Sequence, residues 1–194
     1  LVLLDGTAPW TTRPATDLLR SWRPAEAIVL GGPSAVSEDV RWQLPIVIDG
    51  PTLPRGGSAL FPHHRMVALY GHHGTPALGV LGEQPPDQAH DRLRPLAEPY
   101  GADGRAVLPT FELIVSLATS GAGPDGDYSD PSTREEIQPW LDAAREAGVY
   151  LLLDLQPGRT DFLTDAKRYE DLLREPDVGL ALDPEWRLGP DERH

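Results

Sequence analysis

The sequence has no cysteine, and Lys167 is the only lysine among its 17 basic residues. Without cysteine the chain can form no disulfide, no thiolate metal site and no cysteine nucleophile. Its longest apolar run, around residues 149–155, is far shorter than the ~20 residues that a transmembrane helix needs. No basic segment followed by an apolar one opens the chain, so no signal peptide is visible. The first residue is Leu1 rather than Met, so we expect that a leader or an upstream domain is missing, as in the mature part of a secreted protein or in a shortened chain.

Positive charge is also scarce, since the formal net charge is -13 and the sequence pI is about 4.7. A surface that binds phosphates needs clustered Lys and Arg, so nucleic acid is excluded as a main partner. An anionic membrane surface is disfavoured for the same reason. Neutral or cationic ligands, sugars among them, remain compatible with this charge. Arginine usage, 21 prolines and 19 glycines are typical of a GC-rich bacterial genome.

The 194 residues are enough for one sizeable domain or two small ones. In the first fifty residues, short apolar strands at 1–4, 27–30 and 46–48 alternate with helical patterns at 16–22 and after Ser34. Three prolines, two adjacent glycines and a serine between Pro51 and Pro62 are typical of a linker. The predicted organisation is a small α/β unit at 1–50, a linker at 51–65 and a larger domain at 66–194.

The larger domain repeats a strand–helix pattern four times. The predicted strands are Met66–Tyr70, Val107–Ala118, Val149–Leu155 and Val178–Leu182, and the predicted helices are Pro86–Glu98, Pro131–Ala147 and Thr160–Arg174. Continuous apolar runs indicate a parallel sheet that is buried on both faces. A closed (β/α)8 barrel takes ~250 residues. The predicted fold class is therefore α/β, built of parallel β/α units, TIM-barrel-like and incomplete.

Acidic residues stand where these predicted strands end, which is where parallel sheets bind ligands. Cleavage of a glycosidic bond needs two carboxyl groups, one as an acid and one as a base or nucleophile. Partial burial at a strand end raises the pKa of a carboxyl group and prepares it for the acid role. The candidate catalytic residues are Asp154, Asp183, Glu185 and Glu112.

Polar and aromatic residues near the same strand ends are candidates for binding the substrate. Trp186 could stack on a sugar face, and Arg159 could bind a carboxylate or phosphate, or pair with a neighbouring acid. The full set of candidate binding residues is Tyr70, His72, Gln156, Arg159, Trp186, Asp127 and Tyr128.

Each acidic candidate also has a structural interpretation. An Asp that follows a buried strand, such as Asp154, often caps the next helix or fixes a loop. Asp183 precedes a proline, a pair that is typical of turns. Glu112 is either a buried functional acid or the mark of a strand with one wet face, because an unpaired buried carboxylate is costly.

Metal and cofactor motifs are weak. His72 and His73 are adjacent on a predicted strand, where neighbouring side chains point to opposite faces, so both seldom bind one ion. One His together with Asp154 and Asp183 is an alternative metal site. The segment 125–130 resembles part of a calcium loop, but the Glu that such a loop needs falls inside the next helix, beyond Pro131. The turn at 31–34 lacks the third glycine and the lysine of phosphate-binding loops. We expect no cofactor and no resident metal.

Two resemblances extend these predictions. The segment Ala27–Val40, with its strand, Gly-Gly-Pro-Ser turn and Ala-Val-Ser helix start, resembles the cell wall-binding repeat 2 family, and the likeness extends loosely to Leu1. That family holds secreted bacterial proteins to the cell wall, so the resemblance implies a secreted or cell-surface location. The pattern from Tyr70 to Trp186 is similar to glycoside-hydrolase-type (β/α) barrels of secreted bacterial proteins.

The hypothesis from the sequence is a secreted, cell-wall-associated protein that hydrolyses glycosidic bonds in a wall polysaccharide or a related glycan. Whether the chain is an enzyme stays open at this point. One alternative is a non-catalytic module that binds a cell-surface polymer. Another is a metal-dependent phosphodiesterase-type barrel.

Overall fold

The structure is a computed structural model that describes residues 13–26, 43–53, 60–61, 64–102, 104 and 106–193. The chain divides into two compact units, Leu1–Arg65 and Met66–His194. The strands predicted at 1–4 and 27–30, the helix start predicted after Ser34 and most of the predicted linker lie outside the described residues.

Two helical segments are described in the first unit. The helix α1 spans Arg13–Trp22, and residues 43–49 are helical and are called α2. Pro14 is tolerated in the first turn of α1, because the N–H that proline lacks has no partner there. The guanidinium group of Arg20 donates from Nε to the Val47 carbonyl at 2.8 Å and from Nη2 to the Gly50 carbonyl at 2.9 Å. These hydrogen bonds of the Arg20 side chain therefore connect α1 to the C-terminal end of α2.

The strand predicted at 46–48 is wrong, because these residues lie in α2. The buried side chains of this segment are Leu44 and Val47, which are three residues apart, whereas Ile46 is exposed. Burial at that spacing is the pattern of a helix. A run of only three apolar residues cannot distinguish a short strand from one face of a helix.

The second unit is organised around a five-stranded sheet. Its strands are β1 His64–Gly71, β2 Ala106–Ala118, β3 Ser129–Pro131, β4 Tyr150–Leu155 and β5 Val178–Leu182. The strand order is β1-β2-β4-β5, with β2–β4 and β4–β5 parallel and the short β3 antiparallel to β2. The predicted α/β class with parallel β/α units is confirmed at this level, and β3 is an element that the sequence pattern did not indicate.

The helices of this unit share one hydrophobic core with the sheet. They are α3 Pro86–Ala97, α4 Arg134–Ala147, α5 Phe162–Lys167 and α6 Glu170–Leu173. Alternate residues of β2 and β4, such as Leu113 and Leu153, are fully buried against Leu93 and Leu141 of the helices. Each such side chain contributes roughly 1.5–3 kcal/mol on burial. The opposite face was also expected to be buried, and it is buried at Ile114 and Asp154 but only partly buried at Glu112.

The start of the helix predicted at Pro131–Ala147 needs correction. In the sequence, Ser132 stands three residues before Glu135, which is the spacing of a capping box, but the box lies one residue later, where Thr133 Oγ1 accepts from the Glu136 N–H and the Glu136 carboxylate accepts from the Thr133 N–H. The two pairs have the same spacing, so the pattern could not choose between them. The predicted end of this helix at Ala147 is confirmed, and Gly148 directly after it is the C-cap, with φ of 66°.

The helix predicted at 160–174 is divided into α5 and α6 by a turn at Arg168 and Tyr169. The Tyr169 hydroxyl donates to the Val115 carbonyl of β2 at 2.6 Å, a long-range bond that local periodicity cannot reveal. The longest described helix has 14 residues, and no described helix is long and apolar enough to cross a membrane.

The capping box makes a prediction about stability. Replacing Thr133 with Ala removes the hydroxyl that accepts from the Glu136 N–H, and we expect a loss of about 1 kcal/mol in the free energy of unfolding. Urea unfolding followed by circular dichroism measures this loss. Thr133→Ser is the matched control, because it keeps the hydroxyl, and a loss of similar size in this control would contradict the capping role.

Candidate functional site

Three acidic side chains share one face of the sheet near the carboxyl ends of its parallel strands. Glu112 belongs to β2 and Asp154 to β4, and Asp183 directly follows β5. In the register, Asp154 pairs with Ile114 on one side and with Ala181 on the other. Side chains alternate along a strand. Glu112 lies two residues before Ile114 and Asp183 two residues after Ala181, so both point to the same face as Asp154.

Asp154 is the most deeply buried of these acids, with 3% of its surface exposed. Burial raises its pKa to about 7, and the negative charges of Asp183 and Glu112 contribute to the rise. The Tyr70 hydroxyl and the Leu155 backbone act in the opposite direction, because hydrogen bonds to a carboxylate favour its charged form. The Asp154 carboxyl therefore binds its proton far more strongly than an exposed aspartate does.

Glu112 and Asp183 are less buried than Asp154. Burial raises the pKa of Glu112, and the charge of Asp183 raises it further. Within the described ranges, none of these three acids forms an ion pair with Arg, Lys or His. Carboxyl groups that lie close together without a cation hold protons more strongly than exposed ones. Asp154 and Glu112 therefore bind their protons more strongly than exposed carboxyl groups do.

Tyr70 and Gln156 connect these acids. The Gln156 side-chain amide donates from Nε2 to the Tyr70 hydroxyl oxygen at 3.3 Å and to Asp183 Oδ2 at 3.4 Å. The Tyr70 hydroxyl interacts in turn with the Asp154 carboxyl, and burial followed by the Asp154 charge raises the pKa of Tyr70. The acid cluster, defined as Glu112, Asp154, Asp183, Tyr70 and Gln156, thus contains five of the residues that the sequence singled out.

Comparison of the chain with protein-family models, with curated proteins and with solved structures gave no match. Any function assigned to the acid cluster therefore rests on the geometry and chemistry of its own residues.

Other candidates lie elsewhere. The His72 ring stacks on His73 with ring centroids 4.3 Å apart, and His73 Nε2 lies 2.9 Å from the Ser132 hydroxyl. Burial and the neighbouring His73 lower the pKa of His72, while the charges of Asp130 and Glu136 act against this. These contacts place the His72–His73 pair beside Ser132, just before α4, and the role of His72 in binding a substrate stays a prediction.

Asp127, Tyr128 and Arg159 hold two loops together. The Arg159 N–H donates to the Asp127 carbonyl at 2.6 Å, and the Arg159 guanidinium lies 4.4 Å from the centre of the Tyr128 ring. The Gly158 N–H donates to the Trp186 carbonyl at 3.1 Å, and this hydrogen bond connects the segment after β5 to the loop after β4. The Arg159 guanidinium is stacked on the Tyr128 ring and donates to the Glu192 carbonyl, and no acid pairs with it among the described residues, so its role in binding a substrate stays a prediction.

Glu185 is exposed in the short 3-10 turn Pro184–Trp186. Within the described part of the chain, no hydrogen bond or ion pair engages its carboxylate. The carboxyl groups that raise the pKa of Asp154 include those of Asp183 and Glu112. Glu185 thus lies two residues after Asp183 in the sequence, but its side chain is exposed to solvent and it is not a member of the acid cluster.

The described residues contain no group of three or more His, Asp or Glu side chains arranged to hold a metal ion. The acids whose charges act on the pKa of His72 are Asp130 and Glu136, whereas those that act on the pKa of Asp154 are Asp183 and Glu112. In the calcium-like segment, the Asp127 carboxylate accepts from the Ser129 N–H at 2.9 Å and lies 3.4 Å from the Arg168 guanidinium. The positive charge beside the Asp127 carboxylate is therefore that of the Arg168 side chain.

Asp165 is an acidic residue that the sequence analysis missed. It is fully buried in α5, its Oδ2 accepts from the Ser116 hydroxyl at 2.5 Å, and burial raises its pKa. Its Oδ1 has no hydrogen-bond partner among the described residues, and the nearest cation is Arg168 Nε at 3.7 Å. The available signal was its position between Phe162 and Tyr169 on the apolar face of the predicted helix.

Proposed function

We propose that this chain is a carbohydrate-active protein that hydrolyses glycosidic bonds with the carboxyl groups of Asp154 and Asp183. The observation that carries the proposal is the convergence of Glu112, Asp154 and Asp183 on one sheet face, with the pKa of Asp154 raised to about 7. Glycosidic cleavage needs one carboxyl group that can donate a proton and a second that acts as base or nucleophile. A pKa near the working pH suits the donor.

Asp154 is the proposed general acid, which protonates the oxygen of the departing sugar. Asp183 is the proposed base or nucleophile, because it is less buried and its carboxylate accepts from the Gln156 amide. The charge of Glu112 helps to keep the proton on Asp154. Tyr70, with 40% of its surface exposed, offers an aromatic ring beside the acids, and Trp186 is proposed to stack on a neighbouring sugar.

We extend the proposal to architecture and location. The order β1-β2-β4-β5 follows the chain, and helices share one core with one sheet face, which supports a (β/α)-barrel type of architecture. Leu180 and Leu182 of β5 continue the core rows of β4 but are 40% and 49% exposed, as expected where a further unit would pack. The resemblance of the segment 27–40, outside the described residues, supports a secreted, wall-associated location and a wall glycan as the partner.

The test is release of reducing ends from peptidoglycan and from wall polysaccharides. Relative to wild type, Asp154→Asn and Asp183→Asn are each expected to lower turnover by roughly 100-fold or more, because each removes one half of the acid–base pair. Glu146→Gln, an exposed acid on α4, is the matched control and is expected to keep full turnover.

The outcomes separate the proposal from its rivals. Full turnover in Asp154→Asn would overturn the assignment of the acid. Loss in Glu185→Gln without loss in Asp183→Asn would move the base to Glu185. Binding of a glycan without turnover in wild type would instead identify a polymer-binding module.

A further inference from the structure

Gln156 is anchored from several sides before its side chain reaches the acid cluster. Its backbone N–H donates to the Ser116 carbonyl at 3.0 Å and lies 3.2 Å from the Ser116 hydroxyl. Its carbonyl accepts from the Ser129 hydroxyl at 2.8 Å. Gln156 is 4% exposed, so strands β2 and β3 hold its backbone in one position.

The side-chain amide of Gln156 has one allowed orientation. Its Oε1 accepts from the Ala118 N–H at 3.0 Å. A reversed amide would place its NH2 group against that N–H, two donors facing each other, and would leave a part-buried backbone donor without a partner. The Nε2 atom therefore must face Tyr70 and Asp183.

The count of hydrogens then decides the direction of the Tyr70 hydroxyl. Gln156 Nε2 carries two hydrogens and has two acceptors, the Tyr70 oxygen at 3.3 Å and Asp183 Oδ2 at 3.4 Å. Because the Tyr70 oxygen accepts from the amide, its own proton is left for the Asp154 carboxyl, with which the hydroxyl interacts.

We propose that Gln156 is a positioning residue that directs the Tyr70 hydroxyl proton at Asp154 while its amide holds Asp183. The two acids thereby receive different donors, a hydroxyl at Asp154 and an amide at Asp183, which keeps their roles distinct. This catalytic meaning rests on the proposed function, whereas the hydrogen-bond direction itself does not. The titratable groups that face Asp154 are Tyr70 from β1, Glu112 from β2 and Asp183 after β5.

The test is a carbon-13 NMR titration of the side-chain carboxyl groups in the protein without substrate, with the Asp154 signal assigned by its loss in Asp154→Asn. In Gln156→Glu the Ala118 N–H keeps its acceptor, but an acceptor replaces the amide donor in front of Tyr70. The hydroxyl then turns away from Asp154, and the added negative charge lies nearby. The Asp154 midpoint is expected to rise by about one pH unit or more.

The same substitution in a Tyr70→Phe background separates direction from charge. Because phenylalanine has no hydroxyl to turn, Gln156→Glu is expected to raise the Asp154 midpoint clearly less in this background than in the wild-type background. Gln138→Glu on α4 makes the same chemical change elsewhere and is expected to leave the Asp154 midpoint unchanged. An unchanged Asp154 midpoint in Gln156→Glu overturns the proposal, and so does an equal rise in both backgrounds.

A neutral variant keeps the proposal testable if the charged one fails to fold. Gln156→Met removes both donors without adding charge, so the Asp154 midpoint is expected to rise by less than in Gln156→Glu, and not to rise at all in the Tyr70→Phe background. A rise that persists in that background overturns the proposal. The titration needs no substrate, so a failure of glycan hydrolysis and a failure of the positioning role give different results.

Discussion

Asp154→Asn is expected to raise the free energy of unfolding by as much as about 4 kcal/mol at pH 8, with little change at pH 4. Burial raises the pKa of Asp154 from an ordinary 3.8 to about 7 in the folded protein. Between these values the unfolded chain has already released the proton that the folded chain still binds, so stability falls as the pH rises through this window. A shift of about three units corresponds to about 4 kcal/mol, and asparagine avoids this cost.

Guanidinium unfolding of wild type and variant at pH 4 and pH 8 measures the difference. The matched control is Asp142→Asn, which changes an exposed acid on α4 and is expected to have the same small effect at both pH values. A gain from Asp154→Asn that is equal at pH 4 and pH 8 would contradict the raised pKa. A gain confined to pH 8 would mean that the fold sustains a destabilising acid, as functional sites often do.

The second large effect is expected at Gly158, in the loop after β4. Its φ is +58°, and a Cβ at this position would lie 2.1 Å from the Asp127 carbonyl oxygen and 2.9 Å from the Tyr128 carbonyl carbon. Gly158→Ala therefore combines left-handed backbone strain with a backbone clash. We expect a loss of about 2–4 kcal/mol in the free energy of unfolding, because the loop that contains Gly158 must move away from the loop that contains Asp127 and Tyr128.

Gly126→Ala is the control that separates strain from contact. Gly126 has φ of +81°, but a Cβ there would meet no atom within 4 Å. Its loss is expected to be about 1–2 kcal/mol, the cost of the left-handed conformation alone. Thermal unfolding of both variants measures the difference, and equal losses would show that the packing of the Gly158 loop against the Asp127 loop contributes nothing.

Much of the acid cluster could be predicted because parallel strands impose a simple rule. Each of Asp154 and Asp183 stands at the end of an apolar run, and Glu112 lies within one, so the alternation of side chains and the common edge of the sheet bring them together. The four strands predicted for the second unit lie within two residues of their observed bounds. Local patterns sufficed there because apolar runs, turns and helix ends are short-range features.

Local patterns failed where a distant partner decides the outcome. The strand predicted at 46–48 is helical because Leu44 and Val47 are buried together. The helix predicted at 160–174 is interrupted at Tyr169, whose hydroxyl bonds β2. The contact between Tyr169 and β2 leaves no trace in the spacing of residues along the chain.

The sequence by itself determined the α/β class, the absence of thiol chemistry, the strong negative charge and the strand ends at which acids stand. These follow from composition and from periodicities of two and 3.6 residues, which the backbone imposes locally. Only the tertiary structure decided that Asp154 is buried between two other acids, that Asp165 is hidden in the core and that the Gln156 amide has a single orientation. Burial and hydrogen-bond direction depend on atoms from distant strands, so they exist only once those strands are assembled.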